Sequence, residues 1–158
     1  MAAHDQSYKL LFSHPEMVRD LFQGFVHEPW VAELDFSTLE RVSESFVSED
    51  LTEREADMIW RVRWKQQWLY LYLLIEFQST VDKFMAVRCM TYIGLLYQSI
   101  IKNKQLTPQH LLPPVFPLVL YNGRERWNAA TRVSVLIEPV LPELARYLPE
   151  LQYELLDE

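Results

Sequence analysis

The sequence has a single cysteine, Cys89, in 158 residues, which excludes a disulfide framework and any cysteine-rich zinc site. It has three glycines and no glycine-rich or serine-rich stretch, so nothing marks a flexible linker and the whole of 1–158 reads as one domain. Long apolar runs are missing too. The longest, 68–75, is under half of the roughly 20 residues that span a bilayer, and the N-terminus carries no apolar stretch beside its charges. The expected location is cytoplasmic, with no membrane partner. Positive charge is scarce, with 15 lysines and arginines against 22 acidic residues and a net charge of -7. That balance argues against a nucleic-acid binder working through bulk charge, because phosphate contacts need cations. A local basic surface stays open and depends on how the charges are arranged.

What the chain has is apolar content, 49% of its residues. A chain of this length should bury close to 70% of the surface its unfolded form exposes, so one core can hold it. A short helix is expected over 4–12. Ser13, followed by Pro15 and Glu16, has the form of an N-cap with its capping-box partner, opening a helix over 15–26. Residues 28–56 mix short apolar clusters with a highly charged segment, 48–55, and read as irregular or weakly helical. Residues 57–64 and 68–78 are dense in aromatic and branched side chains and read as a hairpin. Asp82 is the expected N-cap of a largely buried helix over 84–102. A short apolar strand over 113–121 follows, closed by a turn at Asn122 and Gly123. Strand, helix and strand make a right-handed crossover that places the strands of Glu76 and Val119 parallel in one sheet. A helix or two around 136–147 and a strand-like tail over 151–156 complete an α/β chain with a mixed sheet.

The hairpin carries the chemistry. If it turns between Gln66 and Gln67, Asp57 faces Glu76, and Met58, Trp60, Val62 and Trp64 share an apolar face with Leu69, Leu71, Leu73 and Ile75. The other face pairs Arg61 with Tyr72, Arg63 with Tyr70 and Lys65 with Trp68, a ladder of cations beside rings that leads up to the two carboxylates. Gln78 lies on the Glu76 side. Two opposed carboxylates repel unless neutralised, and a divalent cation is an economical neutraliser. Oxygen ligands with no cysteine or histidine nearby suit Mg2+ or Mn2+, as in phosphate-transfer sites. Arg61, Arg63 and Lys65 could then grip a phosphate backbone. The plainer reading is that these are solvated residues and ordinary cross-strand pairs. The Gln66–Gln67 turn also lacks glycine or asparagine, so a longer loop of the same parity is expected, and an odd loop would break the register.

A set of residues spread over the chain resembles one family. His4, Asp5, Tyr8, Lys9, Leu11 and Phe12, then Asp57 to Trp60, then Ile75 to Ser79, then Met85 to Arg88 with Tyr92, and finally Pro117 to Gly123, look like the Rpn recombination-promoting nucleases. These are transposase-like, YhgA-like proteins of the PD-(D/E)XK superfamily. The resemblance implies a restriction-endonuclease-like core and Mg2+-dependent cleavage of DNA, with Mn2+ as a substitute ion. Asp57 resembles the superfamily's metal-binding aspartate and Glu76 its second acidic ligand. Gln78 stands where a lysine is usual, a form the Rpn-like group itself shows, and supplies no positive charge; Lys9 or Lys83 are candidates to replace it. Arg61, Arg63, Lys65, Lys9 and Arg88 are the expected DNA contacts. Arg88 shares a helix face with Thr91, Leu95 and Gln98 and is expected to be an ion-pair partner. Asp5 reads as a helix cap, Tyr92 and Tyr97 as core, and Cys89 as an inert buried thiol. Rpn-like chains usually continue beyond the equivalent of Glu158, so the family architecture is expected to be longer, and a homodimer is expected of an enzyme that cuts both strands.

Two other readings compete. One is a catalytically silent nuclease-like fold serving binding or oligomerisation. The other is a strand-transferring transposase on a ribonuclease-H-like fold, which needs a third carboxylate, and Glu125 is the candidate.

Overall fold

The computed structural model describes residues 10–43, 57–76 and 80–157. The expected helix over 4–12 is represented there by its last three residues, and the charged segment 48–55, Lys9 and Gln78 lie outside the described residues. Helix α1 (Pro15–Phe25) buries Val18, Leu21 and Phe22, the three- and four-residue spacing of one helix face. Its N-cap is His14 rather than Ser13. Pro15 fits the first helical position, where no amide hydrogen is needed, and this sets the cap one residue later. The Ser13 hydroxyl instead donates to the Leu10 carbonyl at 2.5 Å.

The stretch after α1 is more ordered than its sequence suggests. A 3-10 turn, Pro29–Glu33, leads into strand β1 (Leu34–Arg41). Leu34 and Leu39 are the buried side chains of that strand, and its register against β2 shifts between Asp35 and Glu40. The irregularity breaks the alternation by which a strand is recognised. Thr38 compensates, accepting the Arg63 amide hydrogen on its hydroxyl at 2.8 Å.

Strands β2 (Met58–Trp64) and β3 (Gln67–Glu76) form the expected hairpin, with a corrected register. Met58 pairs with Leu73 and Trp64 with Gln67, so the loop is Lys65–Gln66 and Asp57 falls beside Leu74 instead of opposite Glu76. Lys65 takes the positive φ, 58°, that a two-residue hairpin loop demands. No glycine or asparagine marks that position, which is why the sequence misplaces the turn. The displacement is two residues in pairing, so parity and faces survive. Met58, Trp60, Val62, Leu69, Leu71, Leu73 and Ile75 pack with α1, whereas Ile59, Tyr70, Tyr72 and Leu74 pack on the opposite face.

Helix α2 (Met85–Lys102) covers that second face with Met85, Ala86, Cys89, Leu96 and Ile100. Its N-cap is Phe84; Asp82 acts one step earlier, accepting the Phe84 amide hydrogen at 2.9 Å. Strand β4 (Val115–Tyr121) returns parallel to β3, as expected, and β5 (Glu154–Asp157) adds parallel to β4. The five-stranded sheet runs β1-β2-β3-β4-β5. It is mixed, antiparallel then parallel, with α1 and α2 on opposite faces, the arrangement expected of a restriction-endonuclease-like core. The helices expected over 136–147 shrink to a 3-10 turn, Val133–Leu136, and a single turn, Pro142–Ala145. Pro139, Pro142 and Pro149 interrupt anything longer. Among the described residues no helix is long and apolar enough to cross a membrane.

Candidate functional site

Strands β3, β4 and β5 end in one row, Glu76 beside Tyr121 beside Asp157. Paired residues point to the same face of a sheet, so this row lies on the α2 side at the carboxyl end of the parallel strands, where open α/β sheets hold ligands. Asn122 donates its amide hydrogen to the Glu76 carbonyl at 3.1 Å, which fixes the end of β3. A Cβ at Gly123 would run into the Tyr121 ring and hydroxyl, so glycine lets the chain turn closely past them. The surroundings are acidic. Burial pushes the Tyr121 hydroxyl pKa up, and the charges of Glu125, Asp157 and Glu76 push it further.

Glu76 is 5% exposed, a depth at which a carboxylate needs a partner. Arg88, at the end of the first turn of α2, places Nη1 3.2 Å from Glu76 Oε2 and 2.8 Å from Asp82 Oδ2. The expected ion-pair role of Arg88 is therefore realised, with Glu76 as one partner. Asp57, just before β2, accepts a hydrogen bond from the Tyr72 hydroxyl on Oδ2 at 3.0 Å. Tyr72 is fully buried, and its ring stacks on Tyr92 of α2 with centroids 6.5 Å apart. The tyrosine thus holds Asp57 on the α2 side, diagonal to Glu76. Diagonal neighbours on one sheet face lie roughly 7–8 Å apart.

These two carboxylates suit a hard divalent ion. Oxygen ligands at about 2.0–2.1 Å can be offered from both sides of such a gap, and Mg2+ is commonly held by one or two carboxylates with water and phosphate oxygens filling the rest. Among the described residues no three histidine, cysteine, aspartate or glutamate side chains gather around one point. The third carboxylate required of a ribonuclease-H-like site is therefore not found among them. Glu125 is exposed, and its main-chain carbonyl accepts the Tyr121 hydroxyl at 2.7 Å.

Arg61 and Arg63 of the basic ladder lie on the same face, further along β2, whereas Lys65 falls in the hairpin loop, not opposite Trp68, with its ammonium over Trp64, whose ring packs on the α1 side. Counting about 3.4 Å per residue, Arg61 is some 14 Å from Asp57 and Arg63 some 20 Å. With the corrected register Arg61 pairs with Tyr70 and Arg63 with Trp68. Both guanidinium carbons sit 4.2 Å from the Trp68 ring centroid, and the Lys65 ammonium is 5.2 Å from that of Trp64. Arg61 is also ion-paired to Glu40. Arg63 and Lys65 have no carboxylate partner among the described residues. Cys89 is fully buried, and Tyr92 and Tyr97 are half-buried against the α2-side core. Two residues of the site are not singled out by the sequence, Tyr72 and Asp82. Tyr72 shares the even-numbered face of β3 with Glu76, a signal available in the alternation. Asp82 reads as a cap because its place beside Arg88 depends on the turn before α2.

A family model described as "Putative transposase, YhgA-like" matches residues 2–158. The recombination-promoting nuclease RpnA of Escherichia coli (strain K12) is 37% identical over 122 residues, which cover 77% of this chain and 40% of the relative. RpnD of Escherichia coli O157:H7, also named a recombination-promoting nuclease, is 33% identical over 120 residues, 76% of this chain and 45% of the relative. The inactive recombination-promoting nuclease-like protein RpnE of strain K12 is 31% identical over 145 residues, 92% of this chain and 47% of the relative. The matches span less than half the length of these three relatives. No solved structure matches.

Proposed function

Because the chain belongs to the YhgA-like transposase family, whose matched relatives include proteins named recombination-promoting nucleases, we propose that it is a metal-dependent DNA endonuclease of the PD-(D/E)XK type. The observation that carries this reading is the placement of Asp57 and Glu76 on one sheet face at the carboxyl end of β3, each held by a buried or half-buried partner. Asp57 and Glu76 would hold Mg2+, or Mn2+ in its place. When bound, such an ion lowers the pKa of a water and stabilises the charge that develops on a phosphodiester. Tyr72 keeps the Asp57 carboxylate oriented, and the Asn122 amide keeps Glu76 from shifting along the strand. Gln78, by resemblance the residue in the lysine position, would orient the attacking water through its amide. Water oxygen forms the new bond to phosphorus and gives up a proton to solvent, the bond to one sugar oxygen breaks, and that oxygen leaves with a proton from solvent.

DNA would be gripped by the cations of the same face. Arg88 uses Nη1 for its carboxylates, so its Nε and Nη2 edge, a fork suited to phosphate, has no partner among the described residues. Arg63 extends the track along β2 and Lys65 would add a cation from the hairpin loop beyond it, with Arg61 compensated by Glu40 and Lys9 as a further contact. The substrate, the longer architecture, a cytoplasmic location and a homodimer belong to the same proposal. A silent binding module is the second reading, favoured by the relative named inactive, which aligns with 92% of this chain.

Cleavage of supercoiled plasmid with Mg2+, Mn2+, Ca2+ or chelator separates the two. The nuclease reading expects nicking or linearisation that requires Mg2+ or Mn2+ and falls by about 100-fold or more in Asp57→Ala and Glu76→Ala. A folded wild-type protein that leaves the plasmid intact under every condition supports the silent module instead.

A further inference from the structure

Arg88 spends one nitrogen on two carboxylates. Nη1 is 2.8 Å from Asp82 Oδ2 and 3.2 Å from Glu76 Oε2, so its shorter charge-assisted bond goes to the residue outside the proposed metal pair. The Asp82 carboxylate is itself anchored, its other oxygen accepting the Phe84 amide hydrogen at the entrance to α2. Glu76 lies much deeper, with 6% of its side chain accessible against 28% for Asp82. A carboxylate at that depth needs positive charge beside it, because an unpaired buried charge is strongly destabilising. Arg88 supplies that charge in the protein without metal. A divalent ion on Glu76 would bring a second cation within a few ångströms of the first, and the two would repel.

We infer that Arg88 is a placeholder cation, which neutralises Glu76 in the absence of metal and passes wholly to Asp82 when a divalent ion takes Glu76. The inference rests on the metal reading proposed above. The movement it requires is small, since Nη1 already bonds Asp82 and gives up one of two partners. Asp82 stays in place because the turn before α2 fixes it. Arg88 and Asp82 are thus positioning residues that act through Glu76, and they set how readily the centre accepts its ion.

Calorimetric titration of the 158-residue chain with Mn2+ tests this. Arg88→Met, which removes the competitor, is expected to bind Mn2+ about tenfold tighter than wild type, and Asp82→Asn, which leaves Arg88 no carboxylate but Glu76, about tenfold weaker. Arg88→Lys keeps the charge on one nitrogen and should stay within about threefold of wild type. The decisive comparison is the double variant. If Asp82 acts through Arg88, Asp82→Asn changes affinity by less than about threefold in the Arg88→Met background. An equal loss in both backgrounds overturns the inference, since Asp82 would then act on the metal by its own field. Mn2+ binding that needs Asp57 and Glu76 yet ignores Arg88→Met overturns it while leaving the metal reading intact. No Mn2+ binding by either wild type or Arg88→Met overturns both. Thermal unfolding gives a readout apart from affinity: in chelator Arg88→Met should melt below wild type, and Mn2+ should raise its melting temperature by more than it raises that of wild type. Asp82→Asn carries the test by itself if Arg88→Met does not fold, because unchanged Mn2+ affinity in that variant also overturns the inference.

Discussion

At the scale of single residues, the site depends on side chains that touch the two carboxylates. Tyr72 is fully buried and donates to Asp57 at 3.0 Å. Tyr72→Phe keeps the ring and removes a hydrogen bond to a charged group, worth about 1.5–3 kcal/mol. Urea unfolding is expected to show a loss of that order, and plasmid cleavage a loss of rate, because the Asp57 carboxylate loses the bond from Tyr72 that orients it. A second residue-scale expectation concerns pH. The Glu150 carboxyl is held at about 2, well below its ordinary 4.5, chiefly by the Ser134 hydroxyl, then by the Ser134 amide and Arg132. A folded-state value below the unfolded one stabilises the protein above about pH 4.5, and that contribution disappears as pH falls towards 2. Ser134→Ala should move the Glu150 titration up towards 4.5, read from the side-chain carboxyl signal by NMR. Asp57 and Glu76 are legible in the sequence because their residue type and strand parity carry the signal, and Arg88 because a charged residue stands in a largely buried helix. Tyr72 and Asp82 are not, since an aromatic residue in a strand and an aspartate before a helix each have a commoner explanation.

At the scale of elements, what a sequence reveals depends on how regular the element is. Helix α2 and strand β4 are legible because their apolar residues are dense and uninterrupted, and the crossover between β3 and β4 follows from that order. Strand β1 hides because a register shift between Asp35 and Glu40 spoils its alternation. The hairpin shows both outcomes. Its two faces follow from a period of two, whereas its turn depends on a single φ that Lys65 adopts without the glycine or asparagine that would mark it. A non-glycine residue in that conformation costs about 1–2 kcal/mol. Lys65→Asn should therefore stabilise the protein by up to about 1 kcal/mol, measured as a higher urea midpoint with an unchanged slope. A loss of stability would mean that the Lys65–Gln66 loop and the register built on it are wrong.

At the scale of the whole molecule, a net charge of -7 is compatible with the proposed DNA substrate because the charges are segregated. The row of Glu76, Tyr121 and Asp157, with its two carboxylates, closes the sheet at one end, while Arg63 stands towards the other on the same face and Lys65 in the hairpin loop beyond it. The negative total leaves few cations for phosphate, so binding should be modest and its salt dependence shallow. With Arg63, Lys65, Arg88 and Lys9 each meeting one phosphate, the plot of log affinity against log salt should have a slope of about -3.6, at roughly 0.9 per contact, and Arg63→Ala should lower its magnitude by about one. Duplex binding in Ca2+, followed by fluorescence anisotropy over a salt series, gives that slope. An unchanged slope in Arg63→Ala would remove the β2 track from the interface.

The most direct measurement is crystallographic, a Mn2+ soak with data collected for anomalous scattering. The expected result is one strong peak within about 2.0–2.2 Å of an oxygen of Asp57 and of Glu76, with the Arg88 guanidinium withdrawn from Glu76 and retained by Asp82. A peak elsewhere, or none beside these two carboxylates at saturating Mn2+, would contradict the assignment of Asp57 and Glu76 as a shared metal centre.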